Sequence, residues 1–415
     1  MQYYIFKALL ISSLLLASCK QEEANSSDPS PGGGTEQEGD STSVETNAPN
    51  ATYSPAFAGQ TRIRAVKTQA QYASRILTEQ LSSPWGITSL PDGRFLITQK
   101  SGEMRIVNAS GVIVASISGL PAVNASGQGG LLGLCIDPNF ESNKLVYWVF
   151  SQSVSGGTLT AVAKGRLSSD ETRMESPTVI YQATPAFNSS AHYGGRILFD
   201  QTGHLLVSTG ERSSTVTRPQ AQSMSSGLGK IVRITTNGAP ATDNPFAGQS
   251  SARPEIFSLG HRNPQGLALH PVTGDLWQSE HGPRGGDEIN RVQAGRNYGW
   301  PTITYGIEYS GQPVGEAAQQ RNGLEQPAYY WDPVISPSGM AFFSGTSIPE
   351  WQNNLFIGSL SGMHIARLVI ENNRIVGEER LLADQNQRFR DITQGADGAL
   401  YAITDGGRLY RIGLN

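Results

Sequence analysis

Apolar residues come in short alternating bursts along this chain, each bounded by a tight-turn signal. One phrase keeps returning: a turn, an apolar strand, a second turn and another strand. It is plainest in LPDGRFLITQKSGEMRIV (residues 90–107), DQTGHLLVSTGE (200–211), HPVTGDLWQSEHG (270–282) and GADGALYAITDGGRLYRIGL (395–414). Weaker copies are DPNFESNKLVYWVFS (137–151) and IPEWQNNLFIGSLSGMHIARLVI (348–370). A spacing of roughly 40–50 residues suits a four-stranded sheet that cannot bury both faces alone and so stacks against its neighbours. The pattern therefore predicts an all-β chain, a six-bladed β-propeller with four-stranded antiparallel blades, its longer intervals carrying loop insertions. Short strands by themselves also allow a β-sandwich or two smaller β domains. Closure leaves a trace at the ends: GRLYRIGL supplies strands after the last phrase, residues 75–77 supply one before the first, and these segments can share a blade.

Composition narrows this picture. The chain has 415 residues, with 47 Gly and 23 Pro, which favours many turns over long helices. Net charge is −4, only 16% of residues are charged, and no long basic run could follow a phosphate backbone, so nucleic acid is not an expected partner.

The N-terminus stands apart. Lys7 precedes an apolar stretch, residues 8–17, that is too short for a bilayer needing about 20 residues. It ends in Leu16-Ala17-Ser18-Cys19, which resembles a bacterial lipoprotein signal and makes Cys19 the lipidated first residue of the mature chain. The alternative is an ordinary secretory signal with a chance cysteine. Residues 20–61 hold too little apolar surface to offset their ordering entropy and are expected to form a disordered polar tether. The expected division is thus a signal at 1–19, a tether at 20–61 and a propeller domain at 62–415, lipid-anchored in the bacterial envelope and facing the periplasm or exterior. Cys135 is then left without a disulfide partner, as a buried and inert thiol.

Polar clusters interrupt the repeats at GQGGLLG (127–133), AHYGGRILFD (191–200), GHRNPQG (260–266), EHGPRGGDEINRV (280–292) and RFRDI (388–392). Pro264 disfavours a helical Asn263, so the segment is expected to be extended, with Asn263 and Gln265 on one face. With the planar fork of Arg262, these amides make either a ligand clamp or a hydrogen-bonded loop staple. His192 precedes Gly194-Gly195, where backbone or ligand can approach closely, and imidazole is the usual general base for a hydroxyl proton. A structural histidine is the alternative there, and His261, His281 and His364 remain unassigned. Asp287 and Glu288 match no calcium-loop or zinc spacing and are read as capping or orienting a turn, although backbone carbonyls can still bind calcium. Arg388 and Arg390 share a strand face away from Phe389, so either an acidic side chain of a neighbouring blade or an anionic ligand must lie between them. No Walker loop, Rossmann fingerprint or nucleophile elbow is present.

In their order, PWGITSLPDGRFLITQKSGEMRIV, GQGGLLGLCIDPNF, HYGGRILFD, LGHRNPQGLALHP, SEHGPRGGDEINRVQAGRNYGWP and VGEERLLADQNQRFRDITQGADGALYAITD resemble the soluble aldose sugar dehydrogenases, pyrroloquinoline quinone (PQQ) enzymes related to soluble glucose dehydrogenase. The resemblance covers about residues 72–415. It implies a six-bladed propeller, His192 as catalytic base in the His-x-Gly-x-Arg phrase, and a quinone held by Gln128, Arg262, Asn263 and Gln265. It also implies contacts from Arg388 and Arg390 to the cofactor's carboxylates, and Ca²⁺ on backbone oxygens at Gly282 and Pro283. The implied reaction takes the anomeric hydroxyl proton of an aldose while hydride passes from C1 to the quinone, giving a lactone, with Arg262 and calcium stabilising the charge that forms. One departure is Ser361, where the family usually places a cofactor-contacting lysine. A non-enzymatic surface propeller binding glycan or protein is the competing expectation. A calcium-assisted lactonase would need a converging acidic set that the sequence does not show.

Overall fold

The structure, a computed structural model, describes residues 42–414. Strands dominate, in six four-stranded antiparallel sheets. In chain order, blade I spans residues 84–117, blade II 131–182, blade III 197–259, blade IV 264–331 and blade V 337–381. Blade VI is made of residues 389–413 completed by the N-terminal strand Ala73–Thr78, which pairs with Leu409–Gly413 as its outermost strand. The expected closure is this pairing, with Arg75 opposite Arg411. Each repeated phrase falls on the second strand of one blade and the turns around it, which explains why six phrases mark six blades.

First strands of adjacent blades touch one another around a ring, so they are the inner strands lining the central channel. Second strands are covered on both faces by neighbouring blades. FLITQ, LLVST, LWQSE, LFIGS and LYAIT are buried at every position, and they read as continuous apolar runs more than as alternation for that reason. Trp148, Trp277 and Trp351, all without exposed surface, fill gaps between successive blades. Cys135 is a free thiol, but only partly buried, packed beside the cluster between blades II and III; loss of hydration and nearby Asp137 raise its pKa above the usual thiol range.

The tether expectation needs correcting within the described residues. Residues 42–61 are seated on the outside of blades IV and V. Asn50 and Ala51 donate their backbone N–H groups to Asp332 at 2.9 and 3.0 Å, Glu45 pairs with Arg380 at 2.8 Å, and fully buried Gln60 donates to Pro327 O at 2.9 Å. Residues 64–66 then run along the outer strand Arg374–Leu381, Val66 N donating to Glu378 O at 2.9 Å, and cover that sheet edge. The strap is held by polar pairing and not by apolar burial, so a composition reading misses it. Cys19, the signal segment and the first part of the expected tether lie outside the described residues.

Candidate active site

Two positions of each blade meet at one end of the channel: the entry into the inner strand, and the turn joining the second and third strands. Antiparallel pairing puts both at the same end. A pocket of about 400 Å³ opens there. Inner-strand entries contribute Trp85 from blade I, Gln128 from II, His192 from III, Arg262 and Gln265 from IV, Ser336 from V, and Arg388 and Arg390 from VI. Turns after the second strand contribute Lys100 from blade I, His281, Gly282 and Pro283 from IV, Leu360 from V and Asp405 from VI. Register shifts at the start of the inner strand in blades I, II, IV, V and VI turn side chains toward this space.

Nearly every expected site residue is therefore brought together. Asn263 stands just behind the wall: its Oδ1 accepts from Gly194 N at 3.0 Å, while Gln265 Nε2 donates to Gly194 O at 3.0 Å. The two amides thus do staple the loop that follows His192. They also keep capacity for something else, since Asn263 Nδ2 is buried without a partner among the described residues and Gln265 lines the pocket. Ser361 does not reach the pocket; its Oγ lies 2.8 Å from Ser336 Oγ.

His192 sits in the left-handed region (φ 49°), followed by Gly194 and Gly195, both at positive φ. A Cβ on Gly194 would lie 2.7 Å from Ser208 O, so only glycine lets the loop pass this close to blade III. The His192 backbone N–H donates to Gln128 Oε1 at 2.8 Å, and buried Arg212 clamps the same loop through Ala191 O at 2.8 Å and the Ser189 carbonyl. His192 Nδ1 is 2.5 Å from Glu211 Oε1. Burial first, then the Arg262, Arg212 and Arg218 guanidinium groups, hold the imidazole pKa well below its usual value. The ring is neutral at pH 7, Nδ1–H donates to the carboxylate, and Nε2, with no hydrogen-bond partner among the described residues, is left as a base at the pocket wall.

Glu211 escaped sequence reading, yet a signal existed. It closes the phrase DQTGHLLVSTGE 19 residues after His192, and Glu280 stands two residues from the end of HPVTGDLWQSEHG, 19 residues after His261, whose Nδ1 it meets at 3.2 Å. The second pair is closed off, because His261 also bonds Ser258 Oγ at 2.8 Å and stacks on Tyr298. Only the first opens to the pocket. His281 and Lys100 are further wall residues that no motif singled out.

Asp287 orients the Gly282 turn as expected, accepting from Gly282 N at 2.8 Å and from Ile335 and Ser336 N at 2.9 and 2.7 Å. Burial pushes its pKa up to about 7. Glu288 has a different role from the expected one, accepting from Asn290 Nδ2 at 3.1 Å. The carbonyl oxygens of Gly282 and Pro283 accept no hydrogen bond among the described residues, and both residues line the pocket. Arg262 Nη1 donates to His281 O at 3.0 Å, and its Nε is buried with no partner among the described residues.

Arg388 and Arg390 share one carboxylate, from their own blade and not from a neighbouring one. Arg388 Nε and Arg390 Nε reach Asp405 at 2.9 and 2.8 Å. At the mouth, Tyr309 is 73% exposed, at the tip of a hairpin tied to the Pro283 side by Arg284–Ile307 backbone bonds and to the opposite rim by Glu308–Arg218.

The sequence profile of the family described as Glucose / Sorbosone dehydrogenase matches residues 81–411, the whole closed ring of blades apart from its first strand. The chain belongs to this family. It is 41% identical over 333 residues to the aldose sugar dehydrogenase of Escherichia coli, covering 80% of this chain and 89% of that protein. A solved glucose dehydrogenase superposes with a TM-score of 0.79 at 43% identity, covering 83% of this chain and 99% of the other. The PQQ-bound form of aldose sugar dehydrogenase from Streptomyces coelicolor superposes with a TM-score of 0.69 at 26% identity, covering 84% and 99%. This family member is accordingly a sugar dehydrogenase.

Proposed function

We propose that this enzyme oxidises the C1 hydroxyl of aldoses to the lactone with PQQ and Ca²⁺. The observation that carries the reading is His192, a neutral imidazole with a carboxylate on Nδ1 and a free Nε2, in a pocket whose opposite wall has surplus positive charge. The donors fit a planar quinone bearing carboxylates: Arg388 and Arg390 offer charge, Trp85 a flat face, and Asn263 Nδ2 and Arg262 Nε are buried donors with no partner among the described residues. The unused carbonyls of Gly282 and Pro283 suit a hard cation that takes oxygen ligands, and Asp287 holds that turn in place. When bound, PQQ supplies a two-electron acceptor for the hydride leaving C1, and calcium supplies a Lewis acid.

The chain's own residues do the rest. His192 Nε2 takes the anomeric hydroxyl proton, which raises electron density at C1 as its hydride departs. Glu211 keeps Nδ1 protonated and stabilises the imidazolium that forms. Arg262, beside the base and partly unsatisfied, is placed to meet negative charge building on the acceptor. Tyr309 offers an aromatic face to the sugar at the mouth.

Purified enzyme should reduce an artificial acceptor with aldoses only when both PQQ and Ca²⁺ are added; full activity without quinone sinks the reading. Saturable glycan binding with no PQQ-dependent absorbance change would favour the rival surface-binding propeller. Anchoring through Cys19 in the bacterial envelope belongs to the same proposal, and palmitate labelling that persists in Cys19→Ser would count against it.

A further inference from the structure

The wall formed by blades VI and I holds more positive charge than the fold consumes. Arg388 and Arg390 face the single Asp405 carboxylate, and Arg390 has only Gln265 Oε1, at 3.3 Å, as a further side-chain acceptor. Lys100 joins them from blade I, on the turn between the second and third strands. It brings a full charge and no carboxylate of its own. Its ammonium makes one hydrogen bond, to Gly127 O at 2.7 Å, which leaves two of three donors unused beside the pocket. Burial, and after it the nearby Arg390, hold Lys100 below the usual lysine pKa, with Asp405 opposing them. Keeping an ammonium there works against desolvation and a like charge, and no ion pair within the described residues offsets it. On the equivalent turn of blade V, Ser361 brings no charge and is bonded to Ser336.

We propose that Lys100 is a cofactor-binding residue that pairs with a carboxylate of PQQ from blade I, completing a cationic wall with Arg388 and Arg390. The inference rests on the PQQ reading above. The bond to Gly127 O gives the side chain a fixed stem position next to Gln128, so the ammonium arrives ordered. The remaining donors point the pairing toward an anion that enters with the ligand.

The test is a binding titration, independent of turnover. PQQ, with Ca²⁺ present, is titrated into the full chain and into Lys100→Met, Lys100→Gln and Lys100→Arg, following quenching of tryptophan fluorescence at several salt concentrations. The same series is run with PQQ trimethyl ester, which keeps the rings and loses the charges. Lys100→Met and Lys100→Gln should bind PQQ about tenfold more weakly, with a shallower salt dependence, and bind the ester as the unaltered chain does. Lys100→Arg should restore most of the affinity. Equal PQQ affinity in Lys100→Met and Lys100→Gln overturns the assignment while leaving the PQQ reading intact. So does an equal loss for acid and ester, which would mean that Lys100 only staples the 127–128 loop. An unaltered chain that binds no PQQ overturns both.

Discussion

In the floor of the channel, Arg196 is used up. Its Nη1 meets Asp391 at 2.5 Å, its Nε donates to Gln265 O at 2.6 Å, its Nη2 donates to Arg390 O at 3.1 Å, and the guanidinium lies 4.3 Å over Trp85. Asp391 also takes Ile87 N at 2.9 Å, so the pair ties blades I, III, IV and VI together. A Cβ on Gly339 would fall 1.8 Å from Asp391 Oδ1, and the glycine makes room for it. The wall of the pocket follows another rule. There Arg388 and Arg390 share one acid, Asp405, Lys100 pairs with no carboxylate, and buried donors of Arg262 and Asn263 lack partners among the described residues. A buried charge that serves the fold is paired inside it, whereas a charge kept for a ligand is left short of partners and tolerated by the rigid ring around it.

That contrast predicts that pocket substitutions move function more than stability and floor substitutions move stability first. His192→Ala should lower kcat by about 10²–10⁴-fold in a protein that remains folded; retained turnover would remove the base assignment. Asp391→Ala should cost about 3–5 kcal/mol in chemical denaturation, because it strands Arg196 in a buried site, and pairing it with Arg196→Met should recover most of that. If the single variant is as stable as the parent, the floor is not the strut described above.

Two smaller effects sharpen the comparison. Asp405→Asn should tighten PQQ binding several-fold in an equilibrium titration, by releasing Arg388 and Arg390, while destabilising the apo-protein by about 1 kcal/mol. Weaker binding would mean that Asp405 positions the arginines more than it competes for them. The pH profile follows from the depressed His192 pKa. The folded protein refuses a proton that the unfolded chain accepts near pH 6.5, so the neutral base persists in the fold as pH falls past that value. In a pH–rate series kcat should hold from pH 8 to 6.5 and decline only in more acidic buffer. Stability linked to this group should be complete above about pH 6.5 and be lost as pH falls toward the folded pKa.

Much of this was open to sequence reasoning because it is local. Turn chemistry and an apolar strand are written in contiguous residues, so the blade phrases could be counted, and the polar clusters between them marked the inner-strand entries carrying Gln128, His192, Arg262 and Arg388. The strap was hidden because Asn50, Gln60 and Glu45 are held by hydrogen bonds to residues more than 250 positions away. Glu211 was hidden because its one sequence signal, the 19-residue spacing from His192 repeated by His261 and Glu280, means nothing until the fold shows that each glutamate faces its histidine. Whether GHRNPQG clamps a ligand or staples a loop was undecidable from its own residues. The structure has it do the second at Gly194 while leaving Arg262 and Gln265 at the pocket.

The sequence by itself determined the blade count, the all-β class and the residue types available for proton and charge handling, since those depend on periodicity and side-chain chemistry. Tertiary structure alone decided which charges are spent and which are spare. Pairing depends on distances across blades, and only closure of the ring brings Arg196 to Asp391 and leaves Lys100 beside the pocket with no ion pair among the described residues.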